Sequence, residues 1–235
     1  MGTTGPDLPE QRVELPTPAG PAAVTLTRPD GHVRGLVLLG HGAGGGVRTP
    51  DLLACRAAFT AAGLAVGLVE QPYRVAGKRV AAPAARLDEA WLAVVAALCG
   101  VPSEDMGDAV RTEGRAAFAG LPLVVGGRSS GARVACRTAR ASGAVAVLAL
   151  GFPLRPPWRP ETTRPLELAG AGVPVLAVQG ERDRFGGAVD LAAVAPDGVD
   201  VLPVAGADHG LGRPLDLAAI TGWVLTQLDG GHRTG

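Results

Sequence analysis

The chain has 235 residues, with 22 basic and 22 acidic side chains, 47% apolar residues, 3% aromatics, 35 glycines and 20 prolines. That much apolar content over this length supports one globular domain with a sizeable core, while zero net charge leaves no global field for nucleic acid or an anionic membrane. Lys occurs once, Asn not at all and Ile once, so Arg and Val have replaced Lys and Ile throughout, and an Arg says less than usual about anion recognition.

The lead MGTTGPDLPEQ has neither a basic n-region nor an apolar h-region, and no apolar run reaches the length of a membrane span. Cys55, Cys99 and Cys136 lie in Ala-rich apolar segments without metal-ligand or C-x-x-C spacing and read as small core residues. A cytoplasmic protein without cofactor or metal is the expectation.

In chain order, residues 23–28 (AVTLTR) alternate as a strand, and Pro29-Asp30-Gly31 turns into a second at 35–40 (GLVLLG), placing His32 in a hairpin turn. The second run is apolar on both faces. Similar runs follow at 64–69, 121–125, 144–150, 173–178 and 199–204, and strands buried on both faces belong to parallel sheets. Ala-rich stretches with helical spacing lie between them at 50–62, 84–99, 130–141 and 187–195, and 214–228 closes the chain. The alternation predicts an α/β fold with a mostly parallel central sheet and helices on both faces. One domain spans 1–235, with 1–20 and 230–235 expected as poorly ordered tails. The Pro-rich excursion at 153–165 is too short for a separate lid domain, which predicts an open site.

Residues 122–135 read PLVVGGRSSGARVA, a strand, a Gly-flanked turn and a small-residue helix. Only Ser129 has glycines at both −2 and +2, as a nucleophile on a sharp strand-to-helix turn requires. Roughly one chain in ten of this composition would carry G-x-S-x-G by chance, so the motif needs partners. Three are present. The strand 35–40 runs into His41-Gly42-Ala43-Gly44, an H-G-x-G loop whose Ala43 N–H, with that of Ser130, would bind a developing oxyanion. The loop lacks both G-K-[ST] and the G-x-G-x-x-G phase, against a phosphate cradle. Asp183 lies just past the strand 173–178, and His209 just past the strand 199–204. The order Ser129, Asp183, His209, each at a strand's carboxyl end, is that of the α/β-hydrolase fold. Glu181 and Asp208 are weaker acid candidates, and His41 reads as a structural hydrogen-bonding residue.

HGAGG at 41–45, EQPYRVAGKR at 70–79, LDEAW at 87–91, GGRSSGARVA at 126–135, GFPLRPPW at 151–158 and VQGERDRFG at 178–186 together resemble the α/β-hydrolase superfamily. The resemblance is narrower still. It points to the small, dienelactone-hydrolase-like branch of bacterial alpha/beta hydrolase family proteins shared with a testis-expressed protein and a histone-acetyltransferase complex subunit. That resemblance implies Ser129, Asp183 and His209 as the triad; Ser130 departs from the branch, which often has Met there.

The expected activity is hydrolysis of a small-molecule ester or thioester through an acyl-enzyme. Tyr73, Phe152, Trp158 and Phe185, with Leu154, are candidate substrate walls, and Arg74, Arg128 and Arg155 candidate anion contacts. The competing reading is a non-catalytic interaction module that retains the fold. Neither reading calls for nucleic acid or membrane insertion.

Overall fold

The computed structural model describes residues 9–100, 117–156, 158–159 and 164–230. The described strands are β1 (Glu10–Leu15), β2 (Ala22–Thr27), β3 (Leu36–Gly40), β4 (Ala65–Glu70), β5 (Leu123–Arg128), β6 (Ala146–Leu150), β7 (Val175–Gly180) and β8 (Val199–Val204). They form one sheet in the order β1-β2-β4-β3-β5-β6-β7-β8. The first two pairings, β1 with β2 and β2 with β4, are antiparallel; every pairing from β4 to β8 is parallel.

The described helices are α1 (Pro50–Ala61), α2 (Pro72–Val75), α3 (Ala84–Cys99), α4 (Ser130–Thr138), α5 (Pro165–Ala169), α6 (Ala188–Ala192) and α7 (Leu217–Gly230). Side chains alternate across a strand, so β3 divides the core cleanly. Leu36 and Leu38 face Trp91 and Val94 of α3 and Val134 of α4, whereas Val37 and Leu39 face Phe59 of α1 and Ile220 and Val224 of α7. Each such buried Leu contributes about 2 kcal/mol of transfer free energy. The helices thus clamp the sheet from both sides, leaving its carboxyl edge open for loops.

Two sequence expectations need correction. The turn at 29–31 does not close a hairpin, because β2 pairs with β1 and β4 and never with β3. A strand apolar on both faces is stabilised most between two neighbours, and β3 therefore sits in the sheet interior beside β4 and β5. Nor is all of 1–20 a loose tail. Glu10–Leu15 forms β1, whose Val13 and Leu15 pack against the core while the Glu10 carboxylate pairs with Arg56 and Arg48. Residues 16–20 are described as well and Gly230 ends α7, while residues 1–8 and 231–235 of the expected tails lie outside the described residues.

Between β6 and β7 the described residues hold only the five-residue α5. No helix among the described residues is long and apolar enough to cross a membrane.

Candidate active site

Strand β5 extends three residues beyond its apolar run and ends at Arg128, and α4 starts at Ser130, so a single residue makes the turn. That residue, Ser129, has φ 52° and ψ −108°. A non-glycine residue held at positive φ is strained, and such strain persists only where the surroundings fix it. Ser129 N–H donates to Leu150 O at 2.9 Å, tying the turn to the end of β6. The flanking glycines are required by close approach: a Cβ on Gly127 or Gly131 would lie 2.5 Å from the carbonyl oxygen of Gly40. The glycines therefore let the elbow press against the end of β3.

His209 follows β8 and spans the two other residues of the constellation. Its Nε2 is 2.9 Å from Ser129 Oγ and its Nδ1 is 2.8 Å from Asp183 Oδ2. A carboxylate only accepts, so Nδ1 carries the proton and the Nε2 lone pair faces the serine hydroxyl. Asp183 is buried, and its other oxygen accepts from the Phe185 N–H at 2.8 Å. Asp208 Oδ1 and Glu181 Oε2 instead accept from the Gly210 and Gly206 N–H groups. Of the three acids weighed from sequence, Asp183 is the one that meets His209.

Gln179, at the end of β7, holds this acid in place. Fully buried, it donates through Nε2 to Asp183 Oδ2 at 3.0 Å, and the same amide nitrogen lies 2.6 Å from Gly186 O and 3.1 Å from Phe152 O. Sequence reasoning missed it, although a polar residue at the end of an otherwise apolar strand is the signal that could have marked it.

The H-G-x-G loop is fixed from below by His41. Its Nδ1 lies 2.8 Å from Gly42 O and its Nε2 accepts from the Gln71 N–H at 3.1 Å. Tyr73 OH donates to Ala43 O at 2.9 Å, fixing the orientation of that peptide. Ser130 is the first residue of α4, where a backbone N–H has no intrahelical acceptor. The Ala43 N–H meets no acceptor among the described residues. Neither N–H group is thus committed to an acceptor among the described residues.

Burial holds the His41 pKa below its ordinary value, with Arg74 adding to the effect and Gly42 and Glu70 opposing it. The sign follows from linkage: in acid the unfolded chain takes up a proton at this residue and the native protein does not. Native stability is therefore fully present above about pH 6.5 and falls as pH drops below it. Urea midpoints measured across that range should fall less steeply for His41→Gln than for the wild type.

The remaining sequence candidates divide sharply. Phe185 packs against the His209 ring with centroids 4.3 Å apart and planes tilted by 40°, and Trp158, 74% exposed, meets Phe185 edge-on at 6.3 Å. Phe152 and Leu154 are wholly buried in the core, which corrects their expected place on an open wall. Their segment turns inward because Gln179 claims the Phe152 carbonyl. Arg155 pairs with Asp190 at 2.8 Å, and Arg74 donates to the Lys78 carbonyl at 3.5 Å. Arg128 donates through Nη2 to His209 O at 3.0 Å, and its Nε lies 3.1 Å from Asp51 Oδ2 without aligned hydrogen-bond geometry.

No thiol competes with Ser129. Burial pushes the Cys55 and Cys136 thiols up to about 12 and Cys99 to about 11, and all three are free. Among the described residues, no cluster of three His, Cys, Asp or Glu could hold a metal ion.

Solved structures share this architecture. Est1E from Butyrivibrio proteoclasticus aligns with a TM-score of 0.71 at 15% identity, over 93% of this chain and 99% of its own. A lidless serine hydrolase from Xanthomonas campestris gives 0.65 at 16% identity, with 97% of each chain covered. A dienelactone hydrolase from Anabaena variabilis gives 0.65 at 19%, over 94% of this chain and 97% of its own. At these identities the likeness is one of fold. No curated protein matches the chain. Residues 33–218 match the family described as an alpha/beta hydrolase domain. Because that match takes in the H-G-x-G loop, the elbow and both loops that carry Asp183 and His209, the chain belongs to the alpha/beta hydrolase domain family.

Proposed function

We propose that the protein is a serine hydrolase that cleaves a small-molecule ester or thioester through an acyl-enzyme. The observation that carries the reading is the unbroken relay from Ser129 Oγ through His209 to buried Asp183, with both links at hydrogen-bond distance. His209 Nε2 takes the Ser129 proton as Oγ attacks the carbonyl carbon, and Asp183 stabilises the imidazolium and keeps its tautomer. The Ser130 and Ala43 N–H groups receive the charge on the carbonyl oxygen. His209 then returns its proton to the leaving group, and activates the water that releases the acid.

A strained serine and two N–H groups without an acceptor among the described residues favour this reading over a non-catalytic module, for which such strain would bring no benefit. The resemblance motifs favour the small branch shared with the testis-expressed protein and the acetyltransferase-complex subunit as the chain's nearest kin, and the three free cysteines suit a reducing cytoplasm.

A fluorophosphonate probe tests the mechanism directly, since Oγ attack on phosphorus expels fluoride and leaves a stable adduct. Folded wild-type protein should be labelled at Ser129 and Ser129→Ala should not. Unlabelled wild-type protein with native circular dichroism would establish the interaction module instead.

A further inference from the structure

Beside the H-G-x-G loop lies a cavity of about 320 Å³, within the size range of small-molecule sites. Tyr73, Ala76, Val80 and Leu87 give it apolar walls, and exposed Lys78 and Arg86 add two cations. It shares walls with a hollow at the start of α4. Gln71, Tyr73 and Leu87 also line a water-sized hollow of about 10 Å³ whose other walls include Ser130 and Gly131. Tyr73 therefore lines both the larger cavity and the hollow, and its hydroxyl holds the Ala43 carbonyl.

The charges in this cavity are unevenly committed. Lys78 forms no ion pair among the described residues, and Arg86 has only the half-exposed Glu89, at 3.1 Å. By contrast, Arg128 and Arg155 are held by Asp51 and Asp190 and are not free to meet a ligand. Some backbone donors are committed as well: the N–H groups of Ala76, Lys78, Arg86 and Leu87 donate to Pro72, Tyr73 and Pro83 carbonyls. Two cations beside an apolar slot suit a single carboxylate on an alkyl chain.

We infer that this cavity is the acyl pocket and selects an acyl chain ending in a carboxylate, that is, the half-ester or half-thioester of a dicarboxylic acid, with Lys78 and Arg86 holding the far end. The inference rests on the serine-hydrolase reading for its catalytic half only. Two measurements keep the halves apart. The first compares kcat/KM for 4-nitrophenyl hydrogen adipate with that for 4-nitrophenyl hexanoate, chains of equal length differing in the terminal charge. The wild type should prefer the adipate ester by about tenfold or more at low salt, and the preference should shrink as ionic strength rises. In Lys78→Glu/Arg86→Glu, whose substitutions are exposed, the preference should vanish or reverse.

The second measures binding of adipate and hexanoate to Ser129→Ala by calorimetry, which needs no turnover. Adipate should bind more tightly, and the charge-reversal pair should abolish the difference. If neither ester is hydrolysed but the binding difference is present and depends on Lys78 and Arg86, the pocket stands and the catalytic reading fails. If both esters are hydrolysed at equal efficiency with no dependence on the cations, hydrolysis stands and this inference is overturned. Equal binding of the two acids likewise overturns it.

Discussion

Ser129→Ala is expected to lower kcat for a 4-nitrophenyl ester by roughly 10⁵-fold while KM stays within a few-fold, because alanine deletes the nucleophile and leaves the oxyanion donors and pocket intact. The substitution keeps the Cβ and the backbone geometry, and the Ser129 N–H still donates to Leu150 O at the end of β6. Folding should be unaffected, and the loss would be chemical. Asp183→Asn is the informative companion. An amide facing Nδ1 offers a donor where the carboxylate only accepts, so the imidazole is driven to the tautomer that presents a proton to Ser129, at a cost of about 10⁴-fold. Activity within tenfold of the wild type in Ser129→Ala would remove the serine from the mechanism.

The parts of this fold that were legible in the sequence are those where one physical demand dominates. Leu36–Gly40 is apolar on both faces, and only a central parallel strand accommodates that, which also fixed the sheet edge carrying the loops. Gly127, Ser129 and Gly131 were legible because backbone approach to Gly40 admits no side chain. What stayed hidden depends on contacts distant in the chain. Strand β1 is charged at Glu10 and Arg12 and shows alternation only weakly; Glu10 is secured by arginines 38 and 46 residues later. Phe152 resembles a wall residue by its place after β6, yet the amide of Gln179 draws its backbone inward. Sequence also ranked Arg128 among possible substrate contacts, whereas Asp51, brought beside it by the packing of α1, commits it to the protein.

That commitment makes Arg128 the second residue with a large expected effect. Its guanidinium joins three elements: it donates to the His209 carbonyl at 3.0 Å, lies 3.1 Å from the Asp51 carboxylate in the first turn of α1, and would sit 3.2 Å from a Cβ on Gly42. Asp51 has a side chain only 1% exposed and no aligned hydrogen bond to either oxygen, so charge alone offsets its desolvation. Arg128→Met strands that carboxylate, and a loss of about 3 kcal/mol or more is expected in denaturant unfolding. It also releases the His209 loop, and kcat should fall about 10²-fold with KM little changed, since a small displacement of the imidazole misaligns both of its hydrogen bonds. Adding Asp51→Leu separates the two consequences: with no buried charge left unpaired, stability should return to within about 1 kcal/mol of the wild type while kcat remains low. Arg128→Lys supplies the charge without the planar fork that reaches Asp51 and the His209 carbonyl together, so it should restore stability more fully than turnover. Recovery of kcat in step with stability across these three variants would show that Arg128 only holds the fold, and that His209 is aligned by Asp183 and the β8 loop without it.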